Sequence, residues 1–159
     1  MKPRVHLERP GARREREFLA AALRSRALHR GFVGAPAQPA EYREYLRRLR
    51  RDTQQSFYVI ENGSDALAGV VNINDIVRYA EQSGRLGYYA FTPFAGTGLM
   101  FEGLKLVIRA AFRDLGLHRL EANIQRNNVR SIALVEKLNF KREGTARRFL
   151  KIGNRWRDH

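Results

Sequence analysis

The chain has 159 residues, a length that suits one domain with its own hydrophobic core but not two domains of ordinary size. Apolar residues make up 43% of it and charged residues 29%, which excludes disorder for most of the chain. It has no cysteine and only four scattered histidines, which excludes thiol catalysis and predicts no metal site. We find no run of roughly 20 apolar residues and no signal-peptide core, so we expect a cytoplasmic protein without membrane contacts.

The net charge of +14 is concentrated at the two ends of the chain. Residues 1–51 hold 14 basic and 5 acidic side chains, residues 52–140 hold 9 of each, and residues 141–159 hold 7 and 2. A basic surface built from both ends would attract RNA, the ribosome or an anionic cofactor. Arginine also outnumbers lysine 25 to 5, so a compositional bias is the alternative explanation of the charge.

Hydrophobic spacing and turn residues divide the chain into short elements. The first third predicts a strand over residues 5–7, a helix over 12–28, a loop over 31–39 and a strongly basic helix over 40–51. The middle predicts strands over 57–60 and 66–77 around an Asn-Gly turn, a strand over 85–92 and a helix over 98–115. The last third predicts a strand over 118–124, a helix over 129–138, a basic closing strand over 140–152 and a turn at Gly153-Asn154. This order indicates one mixed α+β domain over residues 1–159.

A glycine-rich turn, TPFAGTGL at residues 92–99, lies between a predicted strand and the best predicted helix. Such a turn directs unpaired backbone N–H groups to one point, where the helix dipole also favours an anion. Gly96 and Gly98 permit positive φ angles and a close approach of a phosphate to the backbone. The segment is therefore either a phosphate-binding turn or a plain turn, and the glycines alone do not decide between the two.

A second strand–helix pair carries the pattern NNVRSIALVEKLNF at residues 127–140. Together with the glycine turn after an aromatic strand, this pattern resembles the acyl-CoA-binding core of the GNAT superfamily of N-acetyltransferases. The segments LGY at 86–88, GLMFE at 98–102, HR at 118–119 and WRDH at 156–159 are similar to those of the ribosomal-protein alanine N-acetyltransferases, above all the RimJ type. The resemblance covers about residues 57–159, and the first 55 residues match only in their helical layout.

The resemblance implies a GNAT-like acyl-CoA N-acyltransferase fold, in which a mixed, bent sheet has helices on both faces and opens between its fourth and fifth strands to hold acetyl-CoA. It implies that the backbone from Tyr89 to Phe91 contacts the pantetheine arm. Backbone amides would hold the pyrophosphate, from Phe94, Ala95, Gly96, Thr97, Gly98 and Leu99. The side chain of Asn128 would contact the cofactor arm, although a helix cap explains this residue equally well. Ser131 is either a cofactor or proton contact or an ordinary helix-start residue.

The chain departs from the family pattern at positions that matter for chemistry. Pro93 and Ala95 stand where many relatives have polar or basic side chains, so phosphate binding would depend on backbone amides and on nearby arginines. Val135 stands at the position of the tyrosine that protonates the leaving thiolate in many members, and Asn123 at the position of a carboxylate. Asn139 replaces a glycine, a mild change because asparagine tolerates the left-handed conformation.

The sequence offers substitutes for the missing acid and base. Glu121 and Asp75 are the candidate general bases, acting through water, and each is otherwise a solvent-facing or turn residue. Ser131 or water would protonate the thiolate. Little assistance is needed, because a peptide α-amine has a pKa of about 8 and positioning supplies much of the rate of acyl transfer from a thioester.

The leading hypothesis is an acetyl-CoA-dependent N-acetyltransferase that modifies an amino group, the N-terminal α-amine of a protein such as a ribosomal protein. One alternative is acetylation of a small amine such as an antibiotic, a polyamine or an amino acid; the basic ends argue against a polycationic acceptor. The other is a catalytically silent GNAT-like module that binds RNA or the ribosome through the arginines of residues 43–51.

The resemblance also implies a truncated final strand, because members of the family continue past the WRDH motif into a strand that closes one wall of the acceptor site. Residues 140–152 would then present an open edge, which invites a partner. Further residues or a second subunit would complete the wall, and we favour further residues. The protein would be a monomer or a homodimer.

Overall fold

A five-stranded sheet, whose strands follow the order of the chain, forms the centre of the computed structural model, which describes residues 2–159. The strands pair antiparallel except for β4 and β5, which are parallel. A separate hairpin is formed by β6 and β7. The elements are β1 (Val5–Glu8), α1 (Glu15–Arg24), α2 (Arg26–His29), α3 (Pro39–Arg48), β2 (Gln55–Glu61), β3 (Ala66–Val77), β4 (Ser83–Ala90), α4 (Leu99–Arg113), β5 (Arg119–Ala122), α5 (Val129–Lys137), β6 (Leu150–Ile152) and β7 (Arg155–Arg157). Within residues 2–159 no helix is both long and apolar enough to span a bilayer.

Each face of the sheet has its own hydrophobic core. On one face α1 and α3 pack against the sheet through aromatic rings, among them Phe18 and Tyr42. On the other face α4 contributes Leu104 and Val107, and α5 packs beside it. Successive strand residues point to opposite faces, so a strand buried on both faces is apolar throughout, as β2 is over residues 57–60. The predicted mixed sheet with helices on both faces is confirmed.

The helix predicted over residues 12–28 is divided into two, because Ser25 interrupts it. Its hydroxyl donates to the carbonyl of Ala21 at 2.7 Å and accepts from the amide of Thr92 at 2.9 Å. A serine that bonds the backbone in this way competes with the helical pattern. The chain turns at this point, and His29 at the end of α2 then donates through Nε2 to the carbonyl of Ala90 at 2.7 Å. The break therefore fastens α1 and α2 to the end of β4.

The basic closing strand predicted over residues 140–152 is wrong for most of its length. Only its last three residues form a strand, which pairs with β7 around Gly153 and Asn154, so the predicted hairpin turn is confirmed. Residues 141–148 are exposed, and β5 forms the edge of the main sheet, in place of the open edge expected along residues 140–152. Strand formation depends on partners that are distant in sequence, which local composition does not specify.

A cavity of about 660 Å³ lies along the outer edge of β5. Its lining comes from α4, β5, residues 138–146 and His159, including the apolar side chains of Phe112 and Phe140. Two backbone hydrogen bonds between Ala146 and His159 hold the C-terminal segment beside it. The cavity is therefore distinct from the space between β4 and β5, where the sequence places the ligand.

Candidate active site

The cleft between β4 and β5 forms because their pairing stops halfway along β4. Residues 83–86 of β4 pair with residues 119–122 of β5, and residues 87–90 have no partner on that side. On its other side β4 remains paired with β3 as far as Ala90. Backbone groups point to alternate sides along a strand, so Tyr89 directs its own to Val70 of β3, while Tyr88 and Ala90 direct theirs to the free side. The carbonyl of Ala90 accepts from His29, so the backbone of Tyr88 and the amide of Ala90 are left for an extended ligand. The amide of Phe91 is not available, because it donates to the carbonyl of Ala68 at 2.8 Å.

The glycine-rich turn follows β4 and leads directly into α4. Gly96 has φ = 80° and Gly98 has φ = 85°, which confirms the predicted positive angles. Other residues adopt these angles only at a cost in free energy. Gly98 is also the N-cap of α4, a helix of 15 residues whose dipole favours a negative charge at this end.

Four of the six backbone amides assigned to the pyrophosphate are free. Phe94 and Thr97 donate within the turn, to the carbonyls of Phe91 at 2.8 Å and Phe94 at 3.3 Å. Across residues 2–159 no hydrogen-bond acceptor is found for the other four amides, those of Ala95, Gly96, Gly98 and Leu99. These four lie together at the start of α4, the arrangement that holds a phosphate in other proteins.

Arg4, one residue before β1, brings a positive charge to this turn. Its guanidinium donates to the carbonyl of Thr97 at 3.2 Å and forms an ion pair with Glu102 in the first turn of α4. About half of the Arg4 side chain is exposed, so it remains accessible to an anion. The sequence predicted help from nearby arginines, but it gave no sign that Arg4 would be one, because Arg4 and Thr97 are 93 residues apart.

The first turn of α5 faces the cleft from the β5 side. Asn128 is the N-cap of this helix, and its Oδ1 accepts from the amide of Ser131 at 3.3 Å, which confirms the helix-cap explanation. A further contact of Asn128 with the cofactor stays a prediction. The hydroxyl of Ser131 lies 2.6 Å from the phenol oxygen of Tyr88, which reaches α5 from the free half of β4. Burial raises the pKa of Tyr88, and the hydrogen bond with Ser131 partly offsets this effect.

The two candidate bases lie in one row of ion pairs across β3, β4 and β5, which we call the charged ladder. It consists of Asp75, Arg85, Glu121, Arg119 and Glu143. Arg85 lies 3.3 Å from Asp75 and 3.7 Å from Glu121, and Arg119 lies 3.0 Å from Glu121 and 2.5 Å from Glu143. The side chain of Asp75 is 65% exposed and that of Glu121 33%, so Glu121 is the more enclosed of the two.

The charged ladder and the Tyr88–Ser131 pair lie on opposite faces of the sheet. Side chains alternate along β4, so Arg85 points to one face while Leu86 and Tyr88 point to the other. Leu86 and Tyr88 belong to the core under α4. Because β4 and β5 separate just beyond residue 86, groups from both faces can approach a ligand in the cleft.

A hydrogen bond joins the loop that follows β5 to the loop that follows α2. The buried side chain of Gln125, in the loop before α5, donates to the carbonyl of Gly31, in the loop after α2, at 2.9 Å. Beside it, burial lowers the pKa of His29, whose ring packs against that of Tyr89. Sequence reasoning missed Gln125 and His29, because both act through contacts with distant parts of the chain.

Comparison with protein-family models matches residues 4–141 to the acetyltransferase (GNAT) domain. The chain belongs to the GNAT family. The probable N-acetyltransferase YjcK of Bacillus subtilis (strain 168) is 38% identical over 116 residues, which cover 73% of this chain and 64% of that protein. The ribosomal protein uS5-alanine N-acetyltransferase of Escherichia coli (strain K12) is 37% identical over 103 residues, which cover 65% and 53%. The chain thus spans between one half and two thirds of the length of these curated relatives.

A solved structure supports the same GNAT fold. Mycobacterium smegmatis RimJ in complex with CoA-disulfide superposes with a TM-score of 0.86 at 22% identity, covering 98% of this chain and 78% of that one. The predicted membership of the GNAT family and the predicted GNAT fold are therefore confirmed. The similarity to the E. coli enzyme is consistent with the resemblance to the ribosomal-protein alanine N-acetyltransferases.

The structure shows where three residues lie at which this GNAT domain departs from the family pattern. Val135 is buried one turn after Ser131 on α5 and has no proton to give. Asn123 lies just beyond the end of β5. Asn139 has φ = 66°, which confirms that asparagine takes the left-handed conformation in place of the usual glycine.

One cluster outside the cleft contains residue types that bind metals. His6, Glu8 and Asp65 bring one ligand atom each within 4.8 Å of one another. The carboxylate of Glu8 is already paired with Arg13 at 3.0 Å and Arg14 at 2.8 Å, and the hydrogen bond from Arg14 helps to lower its pKa to about 2. These guanidiniums neutralise the carboxylate, and the cluster is explained as an ion-pair network that joins β1 to α1.

Proposed function

We propose that this GNAT domain, acting as a single domain, transfers the acetyl group of acetyl-CoA to the N-terminal α-amine of a protein, such as a ribosomal protein. One observation carries the proposal: β4 separates from β5 beside four free amides at the start of a 15-residue helix. An extended thioester that ends in a pyrophosphate matches a free strand edge next to an anion site. The activity of the E. coli relative, a ribosomal protein uS5-alanine N-acetyltransferase, supports the choice of acceptor.

The residues present fit the cosubstrate. The backbone on either side of Tyr89 would bind the arm, and the four free amides of the glycine-rich turn would bind the pyrophosphate. The half-exposed guanidinium of Arg4, which is paired with Glu102, would lie beside the pyrophosphate. Asn128 and Ser131 would border the arm from α5. When bound, acetyl-CoA supplies an activated acyl group, so the protein's task is to align an amine with it.

On the acceptor side, the charged ladder would receive the amine. It contains three carboxylates and two guanidiniums, so a protonated amine meets one excess negative charge there. Glu121 would take a proton from the amine through water, with Asp75 as the alternative base. Ser131, on the opposite face of the sheet, would protonate the sulfur that leaves. The acid and the base would thus approach the cleft from opposite faces of the sheet.

The test is release of thiol from acetyl-CoA across a panel of acceptors. Peptides that begin with alanine, serine or methionine are compared with spermidine, free amino acids and an alanine peptide whose α-amine is already acetylated. We expect turnover with the alanine-terminated peptide and none with the blocked one. Preferential turnover of a small amine would redirect the acceptor assignment, and absence of thiol release with every acceptor would contradict the enzymatic function.

Ribosome or RNA contact is a second proposal, carried by the exposed arginines at the end of α3. Within residues 2–159, Arg43, Arg48, Arg50 and Arg51 are exposed and form no ion pair. Such side chains bind phosphates with a steep dependence on salt. RNA binding that weakens on replacing Arg50 and Arg51 by glutamine, without any turnover, would favour the catalytically silent module. The same binding together with turnover would instead identify how the enzyme reaches its acceptor.

A further inference from the structure

The phenol of Tyr88 and the hydroxyl of Ser131 meet across the cleft, and the sequence analysis assigned no chemical role to Tyr88. The oxygen of Tyr88 lies 2.6 Å from Oγ of Ser131 and 3.3 Å from the carbonyl of the same residue. Tyr88 comes from the half of β4 that has separated from β5, and Ser131 from the first turn of α5. The pair therefore spans the space in which the proposed function places the thioester.

The pair lies one turn of α5 away from Val135, which occupies the position of the proton-donating tyrosine of the family. Val135 follows Ser131 by four residues, so the two share one face of α5, one turn apart. Valine cannot donate a proton, and the Tyr88 phenol reaches the same helix face one turn earlier. We propose that Tyr88 supplies, through Ser131, the proton that the leaving thiolate requires, an inference that rests on the proposed function.

The proton transfer balances without an additional reactant. The amine nitrogen bonds to the acetyl carbon and displaces the sulfur, which keeps the electron pair of the broken carbon–sulfur bond. Ser131 Oγ–H gives its proton to that sulfur while Oγ takes the proton of the Tyr88 hydroxyl, and solvent then reprotonates the phenolate. The amine is neutral when it attacks, having given its first proton through water to Glu121, and it loses one further proton to water as the bond forms, so the products are an amide and a neutral thiol. In this scheme Ser131 touches the reacting sulfur, and Tyr88 acts through it.

The surroundings of Tyr88 keep its proton in place until it is needed. Burial raises its pKa, so the phenol is fully protonated near neutral pH. The charged groups of β3, β4 and β5 nearest to it, Asp75, Arg85 and Glu121, lie on the opposite face of the sheet. On the helices packed on its own face, Glu102 of α4 is half-buried and paired with Arg4. The other charged side chains of these helices are exposed, namely Lys105, Arg109 and Arg113 of α4 and Arg130, Glu136 and Lys137 of α5. No ion pair therefore competes for the hydroxyl within residues 2–159.

The test compares Tyr88→Phe, Ser131→Ala, Ser131→Thr and the Tyr88→Phe/Ser131→Ala double variant, with Tyr79→Phe as the control. Tyr79 is 92% exposed and lies outside the cleft. We expect Tyr88→Phe to lower kcat at least about 10-fold while the dissociation constant for CoA changes less than about 2-fold. The double variant should be no slower than the slower single variant, because the two hydroxyls act as one unit. Ser131→Thr, which keeps the hydroxyl, should retain most of the activity.

Two further measurements distinguish proton donation by Tyr88 from a purely structural role of its hydrogen bond with Ser131. The wild-type rate should fall at high pH as the phenol ionises, and this alkaline limb should be absent in Tyr88→Phe. In the free protein, ultraviolet titration of tyrosinate should show Tyr88 ionising at higher pH in Ser131→Ala, because the bond that lowers its pKa is removed. An active wild type with an unchanged kcat or alkaline limb in Tyr88→Phe, or with additive losses in the double variant, would overturn the inference. A wild type without turnover would overturn the proposed function itself, and this inference with it.

Discussion

The two faces of the sheet at the cleft differ in almost every physical respect. One face carries the charged ladder, whose five ionised side chains are exposed to between one third and two thirds of their area. The other carries two uncharged hydroxyls above an apolar core. An exposed ladder contributes little to stability but leaves carboxylates within reach of an incoming amine, whereas a partly buried hydroxyl pair retains its protons. In the proposed mechanism, proton acceptance and proton donation would therefore take place on different faces of the sheet.

The largest effect should come from the apolar face. Leu104→Ala removes a fully buried side chain of α4 and should lower the free energy of unfolding by about 2–5 kcal/mol. Asp75→Asn, at the exposed end of the charged ladder, should change it by less than about 1 kcal/mol. Urea unfolding of both variants measures the two values. Similar losses would mean that the ladder also holds the sheet together, and the contrast between the faces would fail.

The next effect concerns catalysis on the charged face. Glu121→Gln removes the candidate base while keeping its shape, and turnover should fall roughly 10²-fold with little change in CoA affinity. Asp75→Asn is the matched control and should stay within about 2-fold of wild type, since Asp75 is the more exposed carboxylate. If the two variants exchange these outcomes, Asp75 is the base.

A smaller effect is expected at the glycine turn, which serves both faces. Gly98→Val forces a branched side chain onto a positive φ angle and against the Arg4 guanidinium, which lies 3.0 Å from the position of its Cβ. The dissociation constant for acetyl-CoA should rise at least about tenfold, or about 1.4 kcal/mol, while the fold survives. Gly34→Ala is the control, because exposed Gly34 lies outside the turn, has no positive φ angle and has no atom within 4 Å of its Cβ position. Equal affinities for wild type and Gly98→Val would remove the phosphate-site argument.

The smallest effect concerns His29, which should make the free energy of unfolding depend on pH. Burial lowers the pKa of His29 below its usual value of 6.5, so the unfolded chain binds a proton more readily than the folded one. Stability should therefore decline as the pH falls from about 7 through that window. His29→Gln, which can still donate to the carbonyl of Ala90, should flatten this part of the profile. A wild-type profile that is already flat between pH 7 and 5 would contradict it.

Sequence reasoning succeeded where structure depends on neighbouring residues. β3 was predicted over the residues that form it, and α4 within two residues at each end, because turn signals and helical spacing are local. The free glycine amides and the opening of the sheet were also anticipated, the latter through the family resemblance. The contacts that complete the site were not predicted, because they join residues that are far apart in the sequence. Arg4 and Thr97 are 93 residues apart, and Tyr88 and Ser131 are 43 residues apart. The prediction of a closing strand over residues 140–152 was wrong for most of its length, because local composition does not specify the partner that a strand requires.

The position of β5 at the edge of the main sheet has a consequence for handling the protein in solution. An edge strand offers unpaired backbone groups on which another chain can add, and charged side chains along it oppose this association. Here Arg119 and Glu121 on the strand and Glu143 beside it form ion pairs along the edge, and an added strand would have to remove these charges from water. A variant in which Arg119 and Glu121 are both replaced by threonine should therefore aggregate at a lower concentration than the wild type.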